Sequence, residues 1–131
     1  MTIDEKTQDE RRIYIIKGIR GAIDVKDDEP EAIYGATKTL LQELIKANSI
    51  ETTEIICIFF TATVDLKSAY PAEAARDMGL TMSPMMCLQE MNVKGSLPRC
   101  IRVLIQVERV VEKEIKHVYL GGAKRLRPDI V

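Results

Sequence analysis

The segment 100–108 constrains the fold more than any other part of the chain, because its side chains alternate between two faces. One face is entirely branched aliphatic, with Ile101, Val103, Ile105 and Val107. The other face is mixed, with Cys100, Arg102, Leu104 and Gln106. A period of two residues is that of a β-strand, whose successive side chains point to opposite sides of a sheet. The segment therefore predicts a strand with one apolar face and a charged residue in the middle of the other.

The remaining secondary structure is predicted from apolar runs and from helical spacing. Strands are predicted from Ile13 to Gly21, at 55–61, near Met82–Met86 and at 115–120. Helices are predicted at 30–47 and 71–79, each with a proline in its first turn. About five strands, with two helices among the early ones, predict an α+β fold in which a mixed sheet carries its helices on one face.

The length of the chain, 131 residues, suits a single domain. Residues 1–11 show no periodicity and are predicted to form a flexible N-terminal tail. Residues 12–131 are predicted to form the domain, and its last, basic segment, 121–131, is predicted to be mobile.

Composition argues against several classes of function. The 19 Lys and Arg residues are balanced by 20 Asp and Glu residues, so there is no overall positive field for nucleic acid. The three cysteines have no paired spacing and there is one histidine, so neither a metal site nor a Cys–His catalytic pair is predicted. No apolar run approaches a membrane span and the polar start does not look like a signal peptide, so we expect a cytoplasmic protein.

Three charged residues stand in mostly apolar surroundings. Arg102 would be costly to bury without a partner, so the pattern alone favours an edge strand with this side chain in water. Arg20 lies among glycines that would let a ligand or another backbone approach, but the end of a strand explains it at least as well. Glu90 suits a ligand-facing carboxylate and a solvated loop charge equally. The pattern therefore leaves the role of all three open.

Other residues have an ordinary explanation when they are taken alone. Tyr119 suits a core position with its hydroxyl satisfied, and Met86 suits core filling beside its neighbouring methionines. Arg76 suits the solvated side of a helix, and Arg127 suits a solvated tail. Cys87 is a poor candidate for a nucleophile, because no activating group lies near it in sequence.

Four stretches, taken together, resemble one known family. They are GIRGAIDV (18–25), TATVDLKSAYPAEAAR (61–76), PMMCLQEMNVKGSLPRCIRVLI (84–105) and HVYLGGAKRLRPD (117–129). In this order and spacing they resemble the trimeric, monofunctional chorismate mutases of the AroH class. The most specific part is CLQEM followed by CIRV, HVYL and LRPD, and the likeness covers nearly everything from about residue 14 onward.

The resemblance implies an isomerase that converts chorismate to prephenate in aromatic amino acid biosynthesis, without a metal or a cofactor. It also implies a homotrimer with a barrel-like core and with substrate sites between subunits. The implied catalytic residues are Arg102, Glu90 and Arg20. The implied substrate-binding residues are Arg20, Tyr70, Ala72, Arg76, Met86, Cys87, Glu90, Arg102, Tyr119, Leu126 and Arg127.

Two positions depart from the family's pattern. Tyr70 stands where phenylalanine is common, which adds a hydroxyl group. Glu73 stands at a position that can be basic, which weakens any role for residue 73 in attracting an anion.

The implied reaction requires no nucleophile and no proton transfer, because one C–O bond breaks as one C–C bond forms within the same molecule. Negative charge grows on the ether oxygen, and Arg102 is the residue that we expect to meet it. Two alternatives stay open: a non-catalytic trimeric module that binds a small dicarboxylate, and a small trimeric hydrolase or deaminase. Glu90 argues against the first, since an anion site gains little from a carboxylate. The second has no evident water-activating group.

Overall fold

A five-stranded mixed sheet forms the centre of the computed structural model, which describes residues 11–129. The strands are β1 (Tyr14–Asp24), β2 (Ile55–Ala62), β3 (Met85–Gln89), β4 (Cys100–Val110) and β5 (Val118–Leu120). Their order across the sheet is β3-β2-β4-β1-β5. β4 is antiparallel to both of its neighbours, whereas the outer pairs are parallel. The predicted α+β fold with a mixed sheet is confirmed.

The helices whose bounds lie within the described residues are α1 (Pro30–Asn48) and α2 (Pro71–Asp77), and 3-10 turns lie at Thr52–Glu54 and Gly121–Leu126. Both α-helices begin at the predicted proline, which needs no partner for a missing N–H in the first turn. Among the residues described, no helix is both long and apolar enough to cross a membrane. The predicted tail at 1–11 lies, except for its last residue, outside the described part of the chain.

All five strand predictions differ from the structure in their bounds: β2 and β4 extend one and two residues further than predicted, and the other three differ by more. β1 continues past Gly21, because β4 pairs with it on one side and β5 on the other. β3 begins after Pro84 rather than near Met82, since a proline has no N–H to give to a ladder. The last strand begins at Val118, not at Ile115, because only that part pairs with β1.

Both helices pack on one face of the sheet, as predicted, and bury the main core there. This core combines Leu40, Leu41 and Leu44 of α1 with strand residues that include Ile19, Phe60, Val103 and Ile105. A Cβ on Gly21 would lie 2.8 Å from Cδ1 of Leu44 and 3.0 Å from Cδ1 of Leu40. The glycine therefore allows α1 to approach β1 closely.

Neither α-helix covers the opposite face of the sheet. At one end of this face, the turn Gly121–Leu126 lies over a small buried cluster of Ala22, Cys100, Tyr119 and Ala123. The sequence predicts a flexible tail here, whereas the structure gives residues 121–126 a regular turn; their mobility stays a prediction. Elsewhere on this face, Ile16, Met86 and Leu88 are exposed. We refer to it as the uncovered face.

Candidate active site

A cavity of about 320 Å³ opens on the uncovered face, and we refer to it as cavity A. Its polar lining consists of Arg20, Thr61, Glu90, Arg102 and Tyr119. Its apolar lining includes Phe59, Leu88 and Leu104. Every strand of the sheet, or the residue that follows it, contributes to this lining, so the cavity exists only because the strands are paired in this order.

Arg102 lies in β4, the central strand of the sheet. Alternation along the strand turns its side chain to the uncovered face, where 44% of it is exposed. Its Nε lies 3.6 Å from Oε2 of Glu90. The edge-strand interpretation is therefore wrong. A guanidinium is tolerated on a central strand because it faces an open cavity and a carboxylate, not the core.

Glu90 follows β3 and is held by contacts from β2. Its backbone N–H donates to the carbonyl of Ala62 at 2.9 Å. The hydroxyl of Thr61 donates to its Oε2 at 2.6 Å. With Arg102 beside the same oxygen, the carboxylate has a fixed orientation at the wall of cavity A.

Arg20 lies on β1 directly opposite Leu104 of β4. Its backbone N–H donates to Nδ1 of His117 at 2.9 Å, which assigns the proton of the neutral imidazole to Nε2. Burial lowers the pKa of His117, and the positive charges of Arg20 and Arg127 lower it further. His117 thus supports the backbone of Arg20 as a neutral acceptor.

Of the C-terminal residues predicted for the site, Tyr119 lines cavity A, whereas Leu126 and Arg127 do not. Tyr119 is paired with Ala22 and is 6% exposed, and Leu126 packs against the cluster to which both belong. Arg127 donates through Nε and Nη2 to the two carboxylate oxygens of Asp129, at 3.1 and 2.8 Å. This fork raises the pKa of Arg127 and lowers that of Asp129. Arg127 therefore already has the bidentate geometry with which an arginine binds a carboxylate.

Comparison with known proteins decides the family. A sequence model described as chorismate mutase type I matches residues 16–130. The chain belongs to the chorismate mutase type I family. A protein named Chorismate mutase AroH from Thermus thermophilus is 48% identical over 118 residues, which cover 88% of this chain and 97% of that protein. Its namesake from Bacillus subtilis (strain 168) is 41% identical over 118 residues, covering 88% and 93%.

A solved structure gives the same result. A chorismate mutase from Clostridium thermocellum superimposes with a TM-score of 0.80 at 47% sequence identity. The match covers 83% of this chain and 98% of that one.

This chorismate mutase type I chain has a second cavity, of about 510 Å³, which we refer to as cavity B. Tyr34, Tyr70, Glu73 and Cys87 are among its lining residues. The hydroxyl of Tyr34 donates to the carboxylate of Glu73, and this bond raises the pKa of Tyr34. The acidic side chain that departs from the family's pattern is therefore held by a phenol of the same chain.

The predicted site residues are divided between these two cavities. Arg20, Glu90, Arg102 and Tyr119 line cavity A, whereas Tyr70 and Cys87 line cavity B. Met86 and Arg76 are exposed, Ala72 is buried in the main core, and Leu126 and Arg127 lie in the C-terminal segment. One chain by itself therefore does not gather the whole set around one cavity.

Sequence reasoning missed Thr61 and His117. Thr61 is paired with Arg102 across β2 and β4, and this register depends on strand pairing that no local pattern contains. His117 carried one signal, since it is the single histidine of the chain, but its partner is a backbone N–H far away in sequence. Among residues 11–129, no cluster of three or more His, Cys, Asp or Glu side chains is arranged to hold a metal ion.

Proposed function

We propose that this chain is a chorismate mutase that rearranges the dicarboxylate chorismate to prephenate. One observation carries the proposal: two guanidinium groups, a carboxylate and a phenol surround cavity A in a chain of the chorismate mutase type I family. The volume of about 320 Å³ suits a small metabolite.

Arg102 stabilises the transition state. As the C–O bond of the substrate lengthens, negative charge collects on the ether oxygen. A guanidinium fixed beside that oxygen binds more strongly as the reaction proceeds, which is the condition for lowering a barrier. The carboxylate of Glu90, 3.6 Å from Nε of Arg102, keeps the guanidinium oriented before the substrate binds.

The other polar groups bind and position the substrate. Arg20 binds one substrate carboxylate, for which its planar fork is suited, and Tyr119 donates a further hydrogen bond. Arg127 binds the other carboxylate by exchanging that of Asp129 for it. Glu90, oriented by Thr61, accepts a hydrogen bond from the ring hydroxyl of the substrate and balances positive charge on its allyl fragment. Holding the flexible substrate in its compact, reactive conformation supplies the rest of the acceleration. No step requires a cofactor.

We infer further that the substrate sites form between subunits of a homotrimer. The first support is the uncovered face, where Ile16, Met86 and Leu88 leave apolar surface in water that a neighbouring chain would bury. The second support is the division of the predicted site between cavities A and B. Cavity B of one subunit, set against cavity A of the next, brings Tyr70 and Cys87 to the substrate. The enzyme works in the cytoplasm, on the route to phenylalanine and tyrosine.

The decisive experiment follows the loss of chorismate absorbance with the wild type and with Arg102→Ala. We expect the variant to lose about 10²–10³-fold in kcat, as is typical when one preorganised donor is removed. Lys46→Ala is the matched control, because Lys46 is an exposed cation that lines neither cavity. Equal kcat in the wild type and Arg102→Ala would contradict the role of Arg102. A wild type that binds chorismate without consuming it would instead favour the non-catalytic binding module.

A further inference from the structure

Asp24 is the last residue of β1, and the strand pairing sets it beside the start of the C-terminal segment. β5 runs parallel to β1, and the last pair in their register is Ile23 with Leu120. One step further along both strands, Asp24 is next to Gly121. Oδ1 of Asp24 accepts a hydrogen bond from the backbone N–H of Gly122 at 2.9 Å.

The two glycines form a recess that fits this carboxylate. A Cβ on Gly121 would overlap Oδ1 of Asp24, and Gly121 has a φ of +57°, in the left-handed region. A Cβ on Gly122 would lie 2.8 Å from Oδ2. The carboxylate therefore occupies the space that side chains at both positions would need, and a side chain at either position would have to displace it.

The anchored glycines determine where the following residues lie. Directly after them, Ala123 is fully buried against Ala22 and Tyr119, and Leu126 packs on the same cluster. Arg127 follows at once. Asp24 itself does not line cavity A, so it would act on the substrate only through this segment.

We propose that Asp24 is a positioning residue: its carboxylate anchors the Gly121–Gly122 step and thereby holds Arg127 at the edge of the substrate site. The proposal rests on the proposed function for its kinetic consequences, but the anchor itself can be tested without substrate. The residue that this anchor positions is Arg127, which binds a substrate carboxylate and takes no part in bond breaking. The effect therefore belongs to substrate affinity and not to the chemical step.

The kinetic test compares Asp24→Ala with Asp24→Asn, whose amide oxygen can still accept from Gly122. Loss of a hydrogen bond to a charged group should raise the KM for chorismate about tenfold in Asp24→Ala, while kcat stays within about twofold. The KM of Asp24→Asn should stay close to the wild-type value. In an Arg127→Ala background, Asp24→Ala should add no further rise. A full additional rise in that background would overturn the proposal, because Asp24 would then act by another route.

Limited trypsin digestion tests the anchor without chorismate, so it distinguishes failure of this proposal from failure of the proposed function. Lys124 and Arg125 are exposed cleavage sites within the anchored segment. Asp24→Ala should speed cleavage there but not after Lys46 in α1, which reports general unfolding. Unchanged cleavage at the segment, or equal acceleration at both places, would overturn the anchor.

A second variant, read first with Asp24 in place, tests the recess directly even if Asp24→Ala folds poorly: unchanged trypsin cleavage of the segment in Gly122→Ala would overturn the proposal. Gly122→Ala should loosen the segment in the wild type, because its Cβ meets Oδ2 of Asp24. In an Asp24→Ala background the same substitution should have less effect on trypsin cleavage. Independent, additive effects of the two changes would contradict a direct contact.

Discussion

At the scale of single residues, the site depends on where charges are tolerated. Arg102 interrupts an apolar pattern on a central strand, and its surroundings on the uncovered face explain why: the side chain is 44% exposed and has Glu90 as a partner. His117 is a titratable group whose pKa is lowered by burial and by the charges of Arg20 and Arg127, and its neutral ring accepts the backbone N–H of Arg20.

The pKa of His117 predicts how stability changes with pH. Because burial and nearby arginines lower that pKa in the folded chain, the unfolded chain binds the proton first, near the ordinary value of about 6.5. The stabilisation is therefore complete above that pH and is lost as the pH falls through the folded pKa. Urea unfolding across pH 5–8 should show this loss in the wild type. His117→Gln, whose amide oxygen can accept from the Arg20 N–H, should not show this loss of stability at low pH. If the free energy of unfolding of the two proteins falls in parallel with pH, His117 is not the group responsible.

At the scale of elements, β4 ends in a buried ion pair that connects three parts of the fold. Arg109 is 1% exposed, and its Nη2 lies 2.9 Å from Oε1 of Glu54 in the first 3-10 turn. Its Nη1 donates to the carbonyls of Asn48, at the end of α1, and Glu114. Burial raises the pKa of Glu54, but hydrogen bonds from the Glu51 N–H and from Arg109 outweigh burial and leave it below its ordinary value. The charged pair thus anchors the ends of β4 and α1 to each other.

Arg109→Met should lower the free energy of unfolding at pH 7 by about 3–5 kcal/mol, because it leaves the charge of Glu54 with weakened compensation. Replacing both partners, Arg109→Met with Glu54→Met, should recover part of the loss, since neither buried partner is then left with an unpaired charge. Lys113, which also contacts Glu54, is 35% exposed and can be solvated by water instead. Urea denaturation measures both, with Lys46→Met as an exposed control. Arg109 lines neither cavity, so the kcat of folded protein should not change. A double variant less stable than Arg109→Met alone would contradict this account.

At the scale of the whole molecule, the two faces of the sheet differ in what covers them. One face is closed by α1 and α2, whereas the other, on which cavity A opens, exposes Ile16, Met86 and Leu88. Such a surface is unfavourable in water, which is the physical reason for expecting a second copy of the chain there. The same association would unite cavity A with cavity B.

Subunit mixing tests whether sites are shared. Arg102→Ala damages cavity A, and a double variant, Tyr70→Ala with Arg76→Ala, damages the other group of predicted site residues. Each alone should be poorly active. Refolded together, they should regain activity, because some interfaces then combine an intact cavity A with an intact second group. Absence of any recovery in mixed trimers, or a monomer by sedimentation, would contradict sites between subunits.

The sequence by itself determined the local elements and the orientation of their side chains. The alternation at 100–108 identified β4 and set Arg102 opposite the apolar face, and prolines marked the first residues of α1 and α2. These features depend on neighbours within a few residues, so periodicity records them. The resemblance to a known family added the set of site residues that the pattern had left open.

Only the tertiary structure decided that β4 is central, that Thr61 orients Glu90 beside Arg102, and that Asp24 fills the recess of Gly121 and Gly122. Strand order and register are chosen by packing between segments distant in sequence, where many pairings satisfy the same local pattern. A charge on a strand therefore has the same sequence signature at a solvated edge as in a cavity. The difference lies in what the rest of the chain brings beside it.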